Sequence, residues 1–192
     1  LEPLDILHQQ IFAVHALDDE AWQELSQCWT EIDVKRKQML TRTGDTEKFL
    51  YLVLDGVQRA FFQHGDKEAT LVFSYAPSFS GVIDSFFTQT PSKFHLETLT
   101  QSKLLRIHYD TMMTLMEKHR SIETWVRVAL MGVLAGTLQR QTELMAFTAE
   151  EKFTTLLRRS PQVLNMIPHK YLASYIGVDP TTFSKMMASV KI

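Results

Sequence analysis

A single cysteine, Cys28, is all the sequence contains, and that scarcity removes several function classes. No internal disulfide can form, and no cysteine cluster exists to hold an iron–sulfur centre or a thiolate zinc site. A reducing cytoplasm is the expected compartment. Cys28 lies between Gln27 and Trp29 with no basic neighbour to lower its pKa, which predicts a packed thiol. Long apolar runs are missing too. The longest uncharged stretch, Val128 to Gln139, is bracketed by Arg127 and Arg140 and is too short to cross a bilayer. No signal peptide opens the chain, so no membrane partner is expected. There is no internal repeat and no low-complexity segment.

Catalytic signatures are equally scarce. The chain has no Gly-x-Ser-x-Gly, no Gly-rich phosphate loop with lysine, and no Cys–His arrangement implying a nucleophile. A small β-roll can be a cupin enzyme, which needs clustered His and Glu ligands. His95 and His108 fall on separate strands with no His-x-His or Glu-x-x-His companion, so no metal site is expected. Most acidic residues lie in turns and on solvent faces. The reading is of a protein that is not an enzyme.

Charge carries a faint signal. The net charge is only −2, yet residues 1–147 hold 14 basic against 19 acidic residues and residues 148–192 hold 6 against 3. An acidic body with a mildly basic tail fits a tail that meets phosphate.

Patterning supplies the fold. A helix is expected from Leu4 to Val14 and another from Asp18, its N-cap, with Leu17 and Trp22 spaced as a hydrophobic staple. From Thr30 short β-branched and aromatic runs separated by turns predict strands. Phe49–Leu54 and Val57–Phe62 flank Asp55-Gly56, which predicts a tight type I′ hairpin. His64-Gly65-Asp66 turns the chain into Ala69–Ser74. A Pro77-to-Gly81 loop and an apolar segment (Val82 to Phe87) precede strands Phe94–Leu99 and Lys103–His108. With no βαβ alternation, these make an antiparallel roll or barrel.

Past Tyr109 the pattern is helical. Asp110 is the expected cap of a helix reaching Lys118. The longest helix, Ser121 to Met145, carries apolar residues at helical spacing over more length than one small barrel can cover. Half of it should face a second copy, with Trp125, Ala129, Leu130, Val133, Leu134 and Leu138 at the seam and Gly132 and Gly136 allowing close approach. Thr148-x-x-Glu151 is a capping box that begins a fresh helix, placing a hinge near Ala146–Phe147.

The C-terminal stretch reads as two short helices around a tight turn. His169–Ile176 puts Leu172, Ala173 and Ile176 on one face, Gly177 stops it, and Asp179 caps a second helix begun by Pro180. Phe183, Met186 and Met187 point inward. This is the helix-turn-helix design, whose second helix enters the DNA major groove; an ordinary helical hairpin with a Gly stop has the same spacing. The DNA-facing candidates are His169 and Lys170 near phosphates and Pro180, Thr181, Thr182, Ser184, Lys185 and Ser189 on the second helix.

Helices, a β-roll, a long helix and this terminal pair, in that order, resemble the Crp/Fnr family of bacterial transcription regulators. Leu54-Asp-Gly56, Gly65-Asp-Lys67, Phe79-Ser-Gly81, Leu172-Ala-Ser-Tyr-Ile-Gly177 and Pro180-Thr-Thr-Phe-Ser-Lys185 carry the resemblance. The short C-terminus is similar to the branch common in Bacteroidetes. Family members commonly continue into a β wing past the position of Ile192; an absent wing and a trimmed chain both fit.

The resemblance implies an α+β fold: an antiparallel β-roll of double-stranded β-helix or jelly-roll type with flanking helices. It implies a cyclic-nucleotide-binding-like sensory unit at 1–119, a dimerisation helix at 120–146 and a DNA-binding unit at 147–192. It implies a homodimer on double-stranded DNA, answering an unidentified small-molecule effector near Gly81, Val82, Ile83, Ser92 and Lys93. Members that bind cyclic AMP carry a Glu for the ribose hydroxyl and an Arg for the cyclic phosphate. In ungapped register those positions hold Val82 and Ser92, with Lys93 adjacent, which places standard cyclic-AMP binding in doubt. No iron–sulfur cluster or haem is indicated. A ligand-sensing or interaction module whose terminal helix pair has ceased to bind DNA is the alternative.

Overall fold

The computed structural model describes residues 1–189; Val190 to Ile192, which the expected C-terminal unit includes, lie outside the described residues. Helices α1 (Pro3–Phe12) and α2 (Asp19–Gln27) open the chain, and the Asp18 carboxylate caps α2 by accepting from the Ala21 N–H at 2.9 Å. Eight strands follow: β1 (Thr30–Val34), β2 (Met39–Thr41), β3 (Phe49–Asp55), β4 (Val57–His64), β5 (Lys67–Tyr75), β6 (Ser78–Ser80), β7 (His95–Thr98) and β8 (Ser102–His108). Helix α3 (Ile83–Thr88) interrupts them between β6 and β7. All pairings are antiparallel, in two four-stranded sheets ordered β1-β8-β3-β6 and β2-β7-β4-β5.

Period-two alternation sorts the side chains. Val34, Tyr51, Val53, Ala60, Leu96 and Leu104 fill the space between the sheets. Their neighbours Leu50, Leu52, Leu105 and Ile107 face the other way, under α1, α2, α4 (Tyr109–Lys118) and the start of α5 (Arg120–Ala146). One side of the roll is therefore covered by helices, and much of the roll's interior is filled by its own residues.

The turn at Asp55-Gly56 departs from expectation. It is not a hairpin: β3 and β4 belong to different sheets, and the chain crosses between them there. Of the two turn residues only Gly56 has positive φ, +90°, whereas a type I′ turn needs both. Instead Val57 donates its N–H to Thr100 Oγ1 at 2.9 Å and accepts from the Leu99 N–H at 2.7 Å, stitching this corner to the β7–β8 connection. The second expected hairpin does form, but its turn is only Gly65-Asp66, with His64 already paired opposite Lys67. The Pro77–Gly81 loop contains the short strand β6, which pairs with β3. The α4 cap is His108, whose Nδ1 accepts from the Asp110 N–H at 3.3 Å; Asp110 itself lies inside the helix.

Helix α5 runs 27 residues and divides its faces differently from the expected seam. Trp125 is 2% exposed and packs 5.5 Å from the Phe79 ring, in the molecule's own core with Ile122, Val126 and Leu130. Trp125 thus leaves the list of partner-facing residues, because the first turns of α5 are the roll's cover, while Leu130 is half-buried against that core. Ala129 is half-buried, and Val133, Leu134 and Leu138 stand exposed. By length and composition α5 is the one helix among the described residues able to cross a membrane. Both its ends are built into packed structure, however, and the all-exposed span is 131–139. At 1.5 Å per residue that is about 14 Å, less than half of the ~30 Å apolar thickness of a bilayer.

Gly56 offers a direct test of the sheet crossing. A Cβ there would lie 2.3 Å from Ser102 Oγ and 2.5 Å from the Gln101 carbonyl oxygen, whereas at Gly44, also near φ +92°, it would meet nothing within 4 Å. Gly44→Ala should cost only the backbone penalty, about 1–2 kcal/mol. Gly56→Ala should cost about 1–3 kcal/mol more, from overpacking. Urea midpoints of the two variants measure the gap; equal losses would mean that the corner yields.

Candidate functional site

The terminal helices are shaped by local chemistry. Helix α8 (His169–Ile176) ends where Gly177 adopts φ +69°. The Val178 N–H donates to the Ala173 carbonyl at 3.0 Å and the Gly177 N–H to the Ser174 carbonyl at 3.2 Å, a Schellman stop. Helix α9 (Pro180–Ser189) begins under Asp179, whose carboxylate accepts from the Thr182 N–H at 2.9 Å and from its hydroxyl. Those bonds hold the Asp179 carboxyl below the usual carboxylate range. Phe183 is fully buried, edge-on to Phe153 of α6 (Ala149–Arg159) at 5.3 Å, and the Thr148–Glu151 capping box starts that helix as expected. A short α7 (Val163–Met166) joins α6 to α8.

The outward face of α9 presents Pro180, Thr181, Ser184, Lys185 and Ser189, all exposed. Thr182 does not belong with them: it is half-buried and its hydroxyl is spent on the Asp179 cap. The Ser184 and Ser189 hydroxyls fold back on the Pro180 and Met186 carbonyls, both at 2.9 Å. At the start of α8 His169 is exposed with its ring 5.5 Å from Phe183, and Lys170 holds its ammonium 4.6 Å from the Tyr171 ring.

Sequence patterning does not anticipate what α8 does on its other side. It docks on the roll. Ser174 Oγ accepts from the Thr70 N–H and donates to the Glu68 carbonyl, both at 2.9 Å, so the helix ties to the edge strand β5. Arg59 on β4 is 2% exposed and lies between the Phe61 and Tyr171 rings, 4.0 and 3.8 Å from their centroids. Its guanidinium donates to Glu97 and Glu68, each at 2.5 Å. Arg140 of α5 covers Tyr175 at 3.7 Å, and Tyr75 and Ser160 hydroxyls meet at 2.8 Å. One apolar cluster accordingly joins Val57 and Leu99 of the roll to Phe153, Leu172 and Phe183, across the boundary expected at residue 147. An arginine in a strand carries no local sign of such a role.

The five expected effector contacts are dispersed. Val82 is buried among the roll's interior side chains and Ile83 packs half-buried against the helix-covered core. Gly81 adopts φ +143° beside the Phe49 carbonyl. Ser92 is 3% exposed and closes on Phe94, accepting its N–H at 2.9 Å and donating to its carbonyl at 2.7 Å. Its side chain is thus already used. Lys93 is exposed. What links Val82 and Ser92 is the 42–49 loop: the Ser92 N–H donates to the Asp45 carbonyl at 2.8 Å, and the Val82 N–H to Glu47 Oε2 at 3.4 Å.

Glu47 is the residue that sequence reading missed. It is 2% exposed and accepts from the Thr41 hydroxyl and from the Lys48 and Phe49 N–H groups at 3.1 and 3.2 Å, besides Val82. Burial pushes its carboxyl above the ordinary value of 4.5, against those hydrogen bonds. A raised acid contributes stability that is full below the unfolded pKa and is lost as pH rises through the folded pKa. Between about pH 5 and about pH 8, the wild type should therefore lose stability relative to Glu47→Gln, which cannot ionise. Urea unfolding of both proteins across that range measures it. A wild type that gains on the variant with rising pH would show the hydrogen bonds outweighing burial.

Residues 31–119 match the cyclic nucleotide-binding domain family. No curated protein matches the sequence. Among solved structures, FixK2 from Bradyrhizobium japonicum superposes with a TM-score of 0.74 at 12% identity, covering 84% of this chain and 83% of that one. The c-di-GMP-responsive global regulator CLP of Xanthomonas campestris gives 0.67 at 18% identity, covering 90% and 91%. A putative transcriptional regulator of the Crp/Fnr family from Eubacterium rectale gives 0.69 at 14% identity, covering 90% and 83%. Residues 31–119 thus match the cyclic nucleotide-binding domain family, within a chain whose fold is shared with solved structures of Crp/Fnr-type regulators.

Proposed function

We propose that this chain is a homodimeric, DNA-binding transcription regulator that performs no chemistry. The observation that carries the reading is the terminal helix pair. A Schellman stop and an Asp-capped restart make the tight turn of a helix-turn-helix, and α9 offers Thr181, Ser184 and Lys185 outward on a core of Phe183 and Met186. Dimerisation is supported by α5. Met131, Leu134, Leu138, Gln141 and Met145 follow a/d spacing, and the apolar four are exposed by 50–79%. Two such helices side by side would set the separation of two recognition helices. Lys185 is the base reader, a point charge able to reach guanine; Lys170 and His169 meet phosphates.

Lys185→Ala should weaken specific binding by about 1–3 kcal/mol and relax preference at one base position, while Lys170→Ala should weaken all duplexes alike. Binding of duplexes selected from a random pool, read across a salt series, separates the two. Leu134→Glu should split the dimer in sedimentation and abolish specific binding with it, because the charge meets its own copy at the two-fold axis. An unmodified protein that sediments as a monomer, or binds no duplex even at low salt, refutes the proposal.

Cyclic AMP is not the effector in this reading. Val82 and Ser92 supply neither a ribose acceptor nor a phosphate cation, and both are packed into the protein's own structure. Losing two charge-assisted contacts, each typically about 1.5–3 kcal/mol, weakens binding roughly a hundred-fold or more. Calorimetric titration should detect no binding below about the millimolar range. A micromolar constant that disappears in Lys93→Ala would reverse this conclusion and make Lys93 the phosphate ligand.

A further inference from the structure

The roll has an opening that the expected effector residues do not line. A cleft of about 740 Å³ lies at the β1–β2 side, bounded by Ile32, Val34, Leu40, Phe49, Tyr51 and Arg106. This is within the size range of small-molecule sites. Tyr51 and Arg106 are direct cross-strand partners on β3 and β8, so their side chains share one face and reach the cleft together. Arg106 lies over the Phe49 ring at 4.4 Å.

Two features of these side chains stand out. Arg106 is half-buried, yet among the described residues its guanidinium has no ion-pair partner and no hydrogen bond, unlike Arg59, which has both. Tyr51 is 3% exposed, and its hydroxyl likewise has no hydrogen-bond partner among the described residues. Burial keeps the phenol protonated well above the ordinary range, so it is a donor at any physiological pH. Adjacent, pre-positioned donors with nothing to donate to, beside an aromatic ring, are what an oxyanion on an apolar body requires.

The charges around the cleft limit that ligand. Glu47 lines it, but its oxygens are taken by Thr41, Lys48, Phe49 and Val82. Asp33 and Asp45 stand exposed at its rim, against Lys48 as the other cation. Two exposed carboxylates offset the two cations and burial disfavours charge on Glu47, so the cleft has no positive excess to hold a polyanion, while one short-range contact to Arg106 and Tyr51 still holds a single charge. We infer that this cleft is the sensory roll's ligand site and takes a small organic monoanion, its oxyanion head on Arg106 and Tyr51 and its apolar body against Phe49 and Leu40. The site rests on the sensory half of the reading above and is independent of DNA binding.

The test uses the full chain, ¹⁵N-labelled and without DNA, titrated with benzoate, with benzamide as its uncharged isostere, and with phenyl phosphate as a dianion. Benzoate should shift the backbone amides of residues 47–51 and 104–108 and bind at least about tenfold more tightly than either of the others. Arg106→Gln should lose about tenfold or more, Arg106→Lys should keep part, since it retains charge without the fork, and Lys103→Gln on the same strand should change nothing. Three results would overturn the inference: benzamide matching benzoate, Arg106→Gln binding like the wild type, or no shifts up to about 10 mM. Tighter binding of phenyl phosphate would overturn the monoanion assignment. Because no DNA is present, failure here leaves the DNA-binding proposal standing, and failure of that proposal leaves this one intact.

Discussion

The buried guanidinium of Arg59 is the constraint on which the arrangement of this molecule depends. It is fully desolvated between two aromatic rings, and its charge is matched by Glu97 on the neighbouring strand and Glu68 across the hairpin. Removing one member of such a group typically costs about 3–5 kcal/mol, because a charge is left buried without a counterpart. One of the rings, Tyr171, belongs to the C-terminal helix pair. The same side chain therefore settles the register of β4 among its neighbours and the seat of α8 on the roll.

That seat brings the two ends of the molecule into direct contact. The β4–β5 hairpin contacts α8 directly through Ser174, Tyr171 and Tyr175, the last also covered by Arg140. Glu143 is 5% exposed and pairs with Arg159, which fastens the end of α5 to α6. β4 and β5 thus touch α8 without the long helix between them.

The positions expected to hold an effector are filled by the fold itself. Val82 and Ser92 are satisfied within the fold, one by packing and one by hydrogen bonds to Phe94, while Glu47 occupies the Val82 N–H. Among the described residues, buried polar atoms without a partner are scattered over Trp29, Gln58, Glu123, Trp125 and Arg140. The Tyr51–Arg106 pair differs from them in lining a cleft.

Much of the local structure was legible in the residues. Asp18, Asp179 and the Thr148–Glu151 box cap the helices foreseen for them, and Gly177 stops α8, because each device acts over three or four residues and leaves its mark in the sequence. The β-branched and aromatic runs between turns likewise marked the strands. The Asp55-Gly56 turn was misread, since turn chemistry fixes a change of direction but not which sheet receives the next strand. Trp125 was misassigned for a related reason: a helix with apolar residues around much of its circumference does not say which of them meets its own roll. The sequence by itself determined most of the elements, their order, and the ends that carry a local cap or stop. Arg59 meeting Tyr171, Glu47 meeting Val82, and the Ser174 contact spanning 104 residues were decided only by the tertiary structure. Those partners are brought together by the sum of sheet pairing and core packing, and no short stretch of chain contains both sides of the interaction.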